Sequence, residues 1–174
     1  ESTLAAWLAR HGEKIISDDD VPGQEGGTWR SFSLETGMQV AIAAALVSIG
    51  GFPVPVALET GMRFALMRGA WERDYNPPSG DWMIFRDDSA RRLPMPFREG
   101  RTWILQRKSG DARLVRSLEA HRFGLDDIPL LFEDDGPPAA FALEVNAIFE
   151  RVARIYGVDP LIYREAPASA AGAA

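Results

Sequence analysis

Cysteine is absent from the 174 residues, which excludes disulfides, thiolate nucleophiles and every cysteine-based metal site. Histidine occurs only at His11 and His121, far apart and in no HxxxH or HxxE spacing, so no metal site is expected. Lys14 and Lys108 are the only lysines. A nuclease reading, which needs two carboxylates and a lysine converging on one metal, finds no diagnostic pattern around either. No Gly-x-Ser-x-Gly elbow, phosphate loop or dinucleotide fingerprint occurs; Gly23-Gln24-Glu25-Gly26-Gly27 runs into Thr28-Trp29 with no lysine. The expectation is a non-catalytic protein without a cofactor. No apolar run reaches the about 18 to 20 residues of a membrane span, and no basic, hydrophobic signal segment opens the chain. No membrane contact and a cytoplasmic location are therefore expected.

What is present is ordinary globular material, 46% apolar and 25% charged. The net charge of −6 gives no overall attraction to nucleic acid. Basic residues nonetheless gather in 86–122, where Arg86, Arg91, Arg92, Arg98, Arg101, Arg107, Lys108, Arg113, Arg116 and Arg122 face five acidic residues. That stretch is either a set of strands with charged outer faces or the face that draws an anionic partner. The runs Asp18-Asp19-Asp20, Asp87-Asp88 and Glu133-Asp134-Asp135 fall in turn-like segments and read as solvated loops rather than ion sites.

The centre of the chain is Trp29-Arg30-Ser31-Phe32-Ser33 and the apolar run that follows to Gly51. Ser33 is placed to cap a helix, with Glu35 in its first turn, where a carboxylate meets the positive end of the dipole. From Met38 to Ile49 only Gln39 and Ser48 interrupt the aliphatic residues, so the helix is expected to be buried nearly all round. Gly50-Gly51 ends it.

Before this, Ser2 can cap a helix in which Leu4, Trp7, Leu8 and His11 share a face, with Gly12 as its stop. A helix so near the first residue leads to the expectation of further sequence upstream. Lys14 to Ser17 reads as a short strand, 18–27 as a loop and Thr28 to Phe32 as the returning strand, together a wing. After Gly51, Phe52-Pro53-Val54-Pro55 forms an elbow. A helix then runs from Val56 to about Arg73, with Leu58, Met62, Ala65, Leu66 and Met67 inward. Leu34-Glu35-Thr36-Gly37-Met38 recurs as Leu58-Glu59-Thr60-Gly61-Met62. Two copies make no solenoid, and the glycines read as points of close helix–helix approach.

Residues 75–80 read as a linker between two domains, 1–74 and 81–165. Beyond it Trp82 to Phe85 and Thr102 to Arg107 have strand texture. Lys108 to Asp111 is a turn from which Ala112 to Leu118 returns, and Pro129 to Phe132 offers one more short strand. From Ala139 to Tyr156 an amphipathic helix is expected. Its stripe of Phe141, Val145, Ile148, Phe149, Val152, Ile155 and Tyr156 is the expected dimerisation surface of a homodimer, with the first five as its contact residues. Residues 166–174 read as a flexible tail.

The order helix, wing, buried helix, glycine, proline elbow, helix carries a resemblance. Ser2-Thr3-Leu4 with Trp7, then Gly12, Arg30-Ser31-Phe32-Ser33, and Leu46 with Gly50 and Phe52 resemble the winged helix-turn-helix domain of MerR-type transcriptional regulators over roughly residues 2–70. The Arg-x-Phe-Ser junction is the most specific part. Three features depart from that family's pattern: its first helix is missing here, alanines replace much of the arginine of its recognition helix, and its coiled coil and metal-binding cysteines are absent. The resemblance implies a partial domain at 1–74 lacking its first helix. It also implies double-stranded DNA as partner, read by a recognition helix through Ser2, Thr3 and Ala6. Arg10 and Lys14 would then meet phosphates, and Arg30, with Trp29 beside it, would act from the wing. Trp7 fits a core position better than a base-stacking one.

The reading is an α+β protein, a partial MerR-like winged helix followed by a small antiparallel sheet with a C-terminal helix. The function it implies is DNA binding in transcriptional control. The alternative is a protein–protein interaction or assembly module, of the kind used in phage structure or packaging.

Overall fold

Ser33 sets the first fixed point of the fold. Its side chain accepts a hydrogen bond from the Thr36 amide at 3.2 Å, satisfying one of the donors left free at a helix start. The structure, a computed structural model, describes residues 3–15, 32–67, 72–76, 81–84, 91–97, 100–117 and 140–160. The first helix, α1, spans Thr3–Ile15, the second, α2, Leu34–Ser48, and the third, α3, Val54–Leu66. Five strands follow: β1 Glu72–Asn76, β2 Asp81–Ile84, β3 Arg101–Gln106, β4 Ala112–Ser117 and β5 Phe141–Glu144. The last helix, α4, spans Val145–Tyr156. The expected wing and acidic loop (16–31), the strand at 129–132 and the tail at 166–174 lie outside the described residues.

The helix α2 follows expectation in its cap and its stop. It ends where Gly51 takes φ +67°, a left-handed conformation that glycine adopts without a Cβ clash, and the Phe52 amide reaches back to the Leu46 carbonyl at 3.2 Å. Met38, Ile42, Ala43 and Leu46 are fully buried, and only Ala44 and Ser48 of the helix are exposed. Removing the cap with Ser33→Ala should cost about 1 kcal/mol. Thermal unfolding followed by circular dichroism should register this as a drop of about 2–4 °C.

Both glycines of the repeated pentapeptide are points of close approach. A Cβ on Gly61 would stand 2.3 Å from the Gln39 carbonyl oxygen of α2, and one on Gly37 would stand 2.6 Å from the Tyr156 hydroxyl of α4. The Thr60 hydroxyl of the second copy donates to Gln106 Oε1 at 2.5 Å, tying α3 to the end of β3.

Several expectations are corrected. Gly12 does not stop α1: the backbone breaks at His11 (φ −139°, ψ 24°) and helix resumes to Ile15, which is buried in the core. Lys14 is therefore helical rather than in a strand. The third helix ends at Leu66, not near Arg73. Phe64 is the aromatic that turns inward, while Leu66 and Met67 are exposed. The C-terminal helix starts at Val145, because Phe141–Glu144 is extended and pairs with β3 (Ile104 opposite Leu143).

Tyr75 and Asn76 of the expected linker belong to β1, and residues 77–80 lie outside the described residues. The strands β1 and β2 pair antiparallel across this linker, with Asn76 opposite Asp81. The strand β1 in turn lies parallel to β4, giving one sheet in the order β2-β1-β4-β3-β5. The sheet is thus mixed rather than purely antiparallel, and the chain remains α+β. A single core draws Trp7, Met38, Leu46 and Phe64 from one half and Ile104, Leu114 and Phe149 from the other.

Candidate nucleic-acid interface

The helix α1 divides its sides cleanly. Trp7 and Ile15 are buried, with Leu8 packed against the same core, and the helix rests on α3 and α2. Ala5, Ala9, Arg10, Glu13 and Lys14 are exposed. Trp7, 8% exposed, is spent on the core. Thr3 lies at the start of the helix and Ala6 is half-buried within it. Ser2, Trp29 and Arg30 lie outside the described residues. Of the seven positions expected to meet DNA, Arg10 and Lys14 are thus placed as exposed cationic side chains on one helix. Their exposed face also carries the carboxylate Glu13.

The end of α1 is held by a residue that the sequence reading passed over. Gln39 of α2 is 2% exposed and its side-chain amide donates to the Lys14 carbonyl. The signal for it was the lone amide in an aliphatic run. An amide buried in such a place without a hydrogen bond costs about 1–3 kcal/mol in protein mutational data, so it marks a polar partner nearby.

The basic stretch 86–122 is largely committed to structure. Arg91 is 2% exposed and donates to three backbone carbonyls: Phe64 at 2.8 Å, Met67 at 3.0 Å and Met95 at 3.3 Å. Its guanidinium also lies 4.5 Å from the centre of the Phe64 ring. Arg107 is buried, Arg101 pairs with Glu144, and Arg116 lies 5.9 Å from the Phe97 ring centre. Arg92 and Lys108 are exposed, and Arg113 is half-buried with a hydrogen bond to the Ala112 carbonyl. Arg86, Arg98 and Arg122 lie outside the described residues. A continuous positive face built from this stretch is therefore not what most of its described members form.

Five members of the stripe expected to dimerise face the chain's own core, while Ile155 and Tyr156 are exposed. Val145, Phe149 and Val152 are buried there, and Ile148 packs against them half-buried. Phe141 meets Phe52 edge-on, with ring centres 5.8 Å apart. An amphipathic stripe specifies burial and leaves open who covers it; here α2 and β3 do.

Among the described residues no group of three or more His, Asp or Glu is arranged to hold a metal ion. The three acidic runs all fall outside those residues. No described helix is long and apolar enough to cross a membrane. No protein-family model, no curated protein and no solved structure matches this chain.

Proposed function

We propose that this chain binds double-stranded DNA as a MerR-like winged-helix protein of transcriptional control, without catalysis. The observation that carries the reading is the placement of α1. Its apolar side is sunk into the α2–α3 pair, and Arg10 and Lys14 are exposed on the outside. A helix anchored in this way offers its outer side to a groove, with cations at phosphate positions and small alanines that permit close approach. Arg30 would add a contact from the wing.

The test is fluorescence anisotropy of a labelled duplex over a salt series. Removing one cation that neutralises a phosphate should flatten the slope of log K against log[salt] by about 0.9. The Arg10→Ala/Lys14→Ala double variant should therefore flatten it by about 1.8, and Arg30→Ala by about half as much. No binding at low salt refutes the reading.

A second reading, an interaction or assembly module, is favoured by one observation. Ile155 is 81% exposed on α4 and Ile49 is 72% exposed at the end of α2. It predicts that Ile155→Asp abolishes capture of a protein partner and leaves duplex binding unchanged.

A further inference from the structure

Gln39 occupies the point where three helices meet. Its backbone carbonyl faces Gly61 of α3, its side chain reaches the Lys14 carbonyl of α1, and it belongs itself to α2. A methionine or leucine would fill the same volume without an amide to satisfy. What the amide adds is a donor for one of the carbonyls left without a partner at a helix C-terminus.

That carbonyl sits just past a break. At His11 the backbone leaves helical geometry, so the ladder of hydrogen bonds does not by itself align residues 12–15 with residues 3–10. The direction of the last turn is set by what it docks on. Ile15, 1% exposed, is one anchor, and the Gln39 amide is the other. Lys14 carries the carbonyl that this amide holds, and its own side chain is exposed.

Resting on the reading that α1 lies against DNA, we infer that Gln39 is a positioning residue for that site. It fixes the last turn of α1 and with it the direction in which the Lys14 ammonium meets a phosphate. Gln39 itself is buried and touches no DNA.

The experiment is a double-mutant cycle of Gln39→Met and Lys14→Ala. It is read by duplex anisotropy over a salt series, together with amide hydrogen exchange across residues 12–15 and thermal melts. Each single variant should flatten the salt slope by about 0.9, the value of one phosphate. The double variant should flatten it no more than either single one, since both remove the same interaction. Exchange across 12–15 should speed up in Gln39→Met while its melt stays cooperative. The inference is overturned by a wild-type slope in Gln39→Met, by an effect that adds to that of Lys14→Ala, or by unchanged exchange. It is also overturned if Gln39→Met does not fold, because Gln39 would then serve the core as a whole. A wild-type protein that binds no duplex refutes the DNA reading instead; exchange alone then decides whether Gln39 holds this turn.

Discussion

Gly61→Ala should lower the melting temperature by roughly 2–8 °C, whereas the same change at Gly37, its counterpart in the repeated pentapeptide, should lower it less. At Gly61 the new methyl would lie 2.3 Å from the Gln39 carbonyl oxygen and 3.2 Å from its Cα. A comfortable carbon–oxygen contact is about 3.3 Å, so the gap must open by roughly 1 Å. The opposing atoms are helix backbone and cannot rotate aside. The two helices must separate, loosening the layer that holds Leu58 and Leu46. Overpacking of this kind costs typically about 1–3 kcal/mol, and about 2–4 °C of melting temperature goes with each kcal/mol at this size. Alanine's better helix propensity returns up to about 1 kcal/mol, so the observed shift reports the clash less that gain. At Gly37 the obstacle is the end of the Tyr156 side chain, which is 36% exposed, and not helix backbone. Thermal melts of the two variants side by side check the contrast. Equal shifts would mean that the approach of α2 to α3 is looser than described.

That contrast shows where sequence reading succeeds and where it stops. The glycines signalled close approach, yet nothing local told that one meets backbone and the other a tyrosine tip. Ser33, Glu35 and Gly51 could be read because a cap and a stop are decided within a few residues. The end of α3 could not. Leu66 and Met67 continue the helical pattern, and the carbonyls at the helix end are taken by Arg91, which lies 24 residues after Met67 in the chain. Phe141 to Glu144 looked helical because Phe141, Val145, Ile148, Phe149 and Val152 keep a helical spacing across the boundary. Pairing with β3, some forty residues away, makes the first four extended. The stripe expected to dimerise meets a related limit, since apolar periodicity marks a buried face without naming its cover. On α1, the outward position of Arg10 follows from the spacing of Leu4, Trp7 and Leu8, whereas that of Lys14 does not, because it lies beyond the break at His11 in a turn that was expected to be a strand. The anchor Gln39 is legible only as an amide out of place.

Arg91→Met should destabilise the fold by about 3 kcal/mol while leaving the salt dependence of the proposed DNA binding unchanged. The guanidinium donates to the carbonyls of Phe64, Met67 and Met95, and it stacks over the Phe64 ring. Phe64 and Met67 lie at the C-terminal end of α3, where carbonyls lack helical partners and the helix dipole favours a cation. Removing the donor takes a partner from the buried Phe64 carbonyl and from the part-buried Met67 and Met95 carbonyls, at about 1–3 kcal/mol for each one that water cannot reach. Relief from the buried charge's own desolvation cost offsets part of that sum. Urea unfolding should show the midpoint fall with the m-value unchanged. Arg91→Lys should recover only part of the stability, because an ammonium lacks the planar fork that spans separate carbonyls. Lys108→Ala, on the exposed β3–β4 turn, should stay within about 0.5 kcal/mol of wild type. The two properties separate the uses to which arginine is put in this chain. An arginine on a DNA face would keep the unfolding midpoint and flatten the salt slope by about 0.9 when replaced. Arg91 should do the reverse, and a flattened slope in a stable Arg91→Met protein would return it to the surface and to the phosphate-binding set.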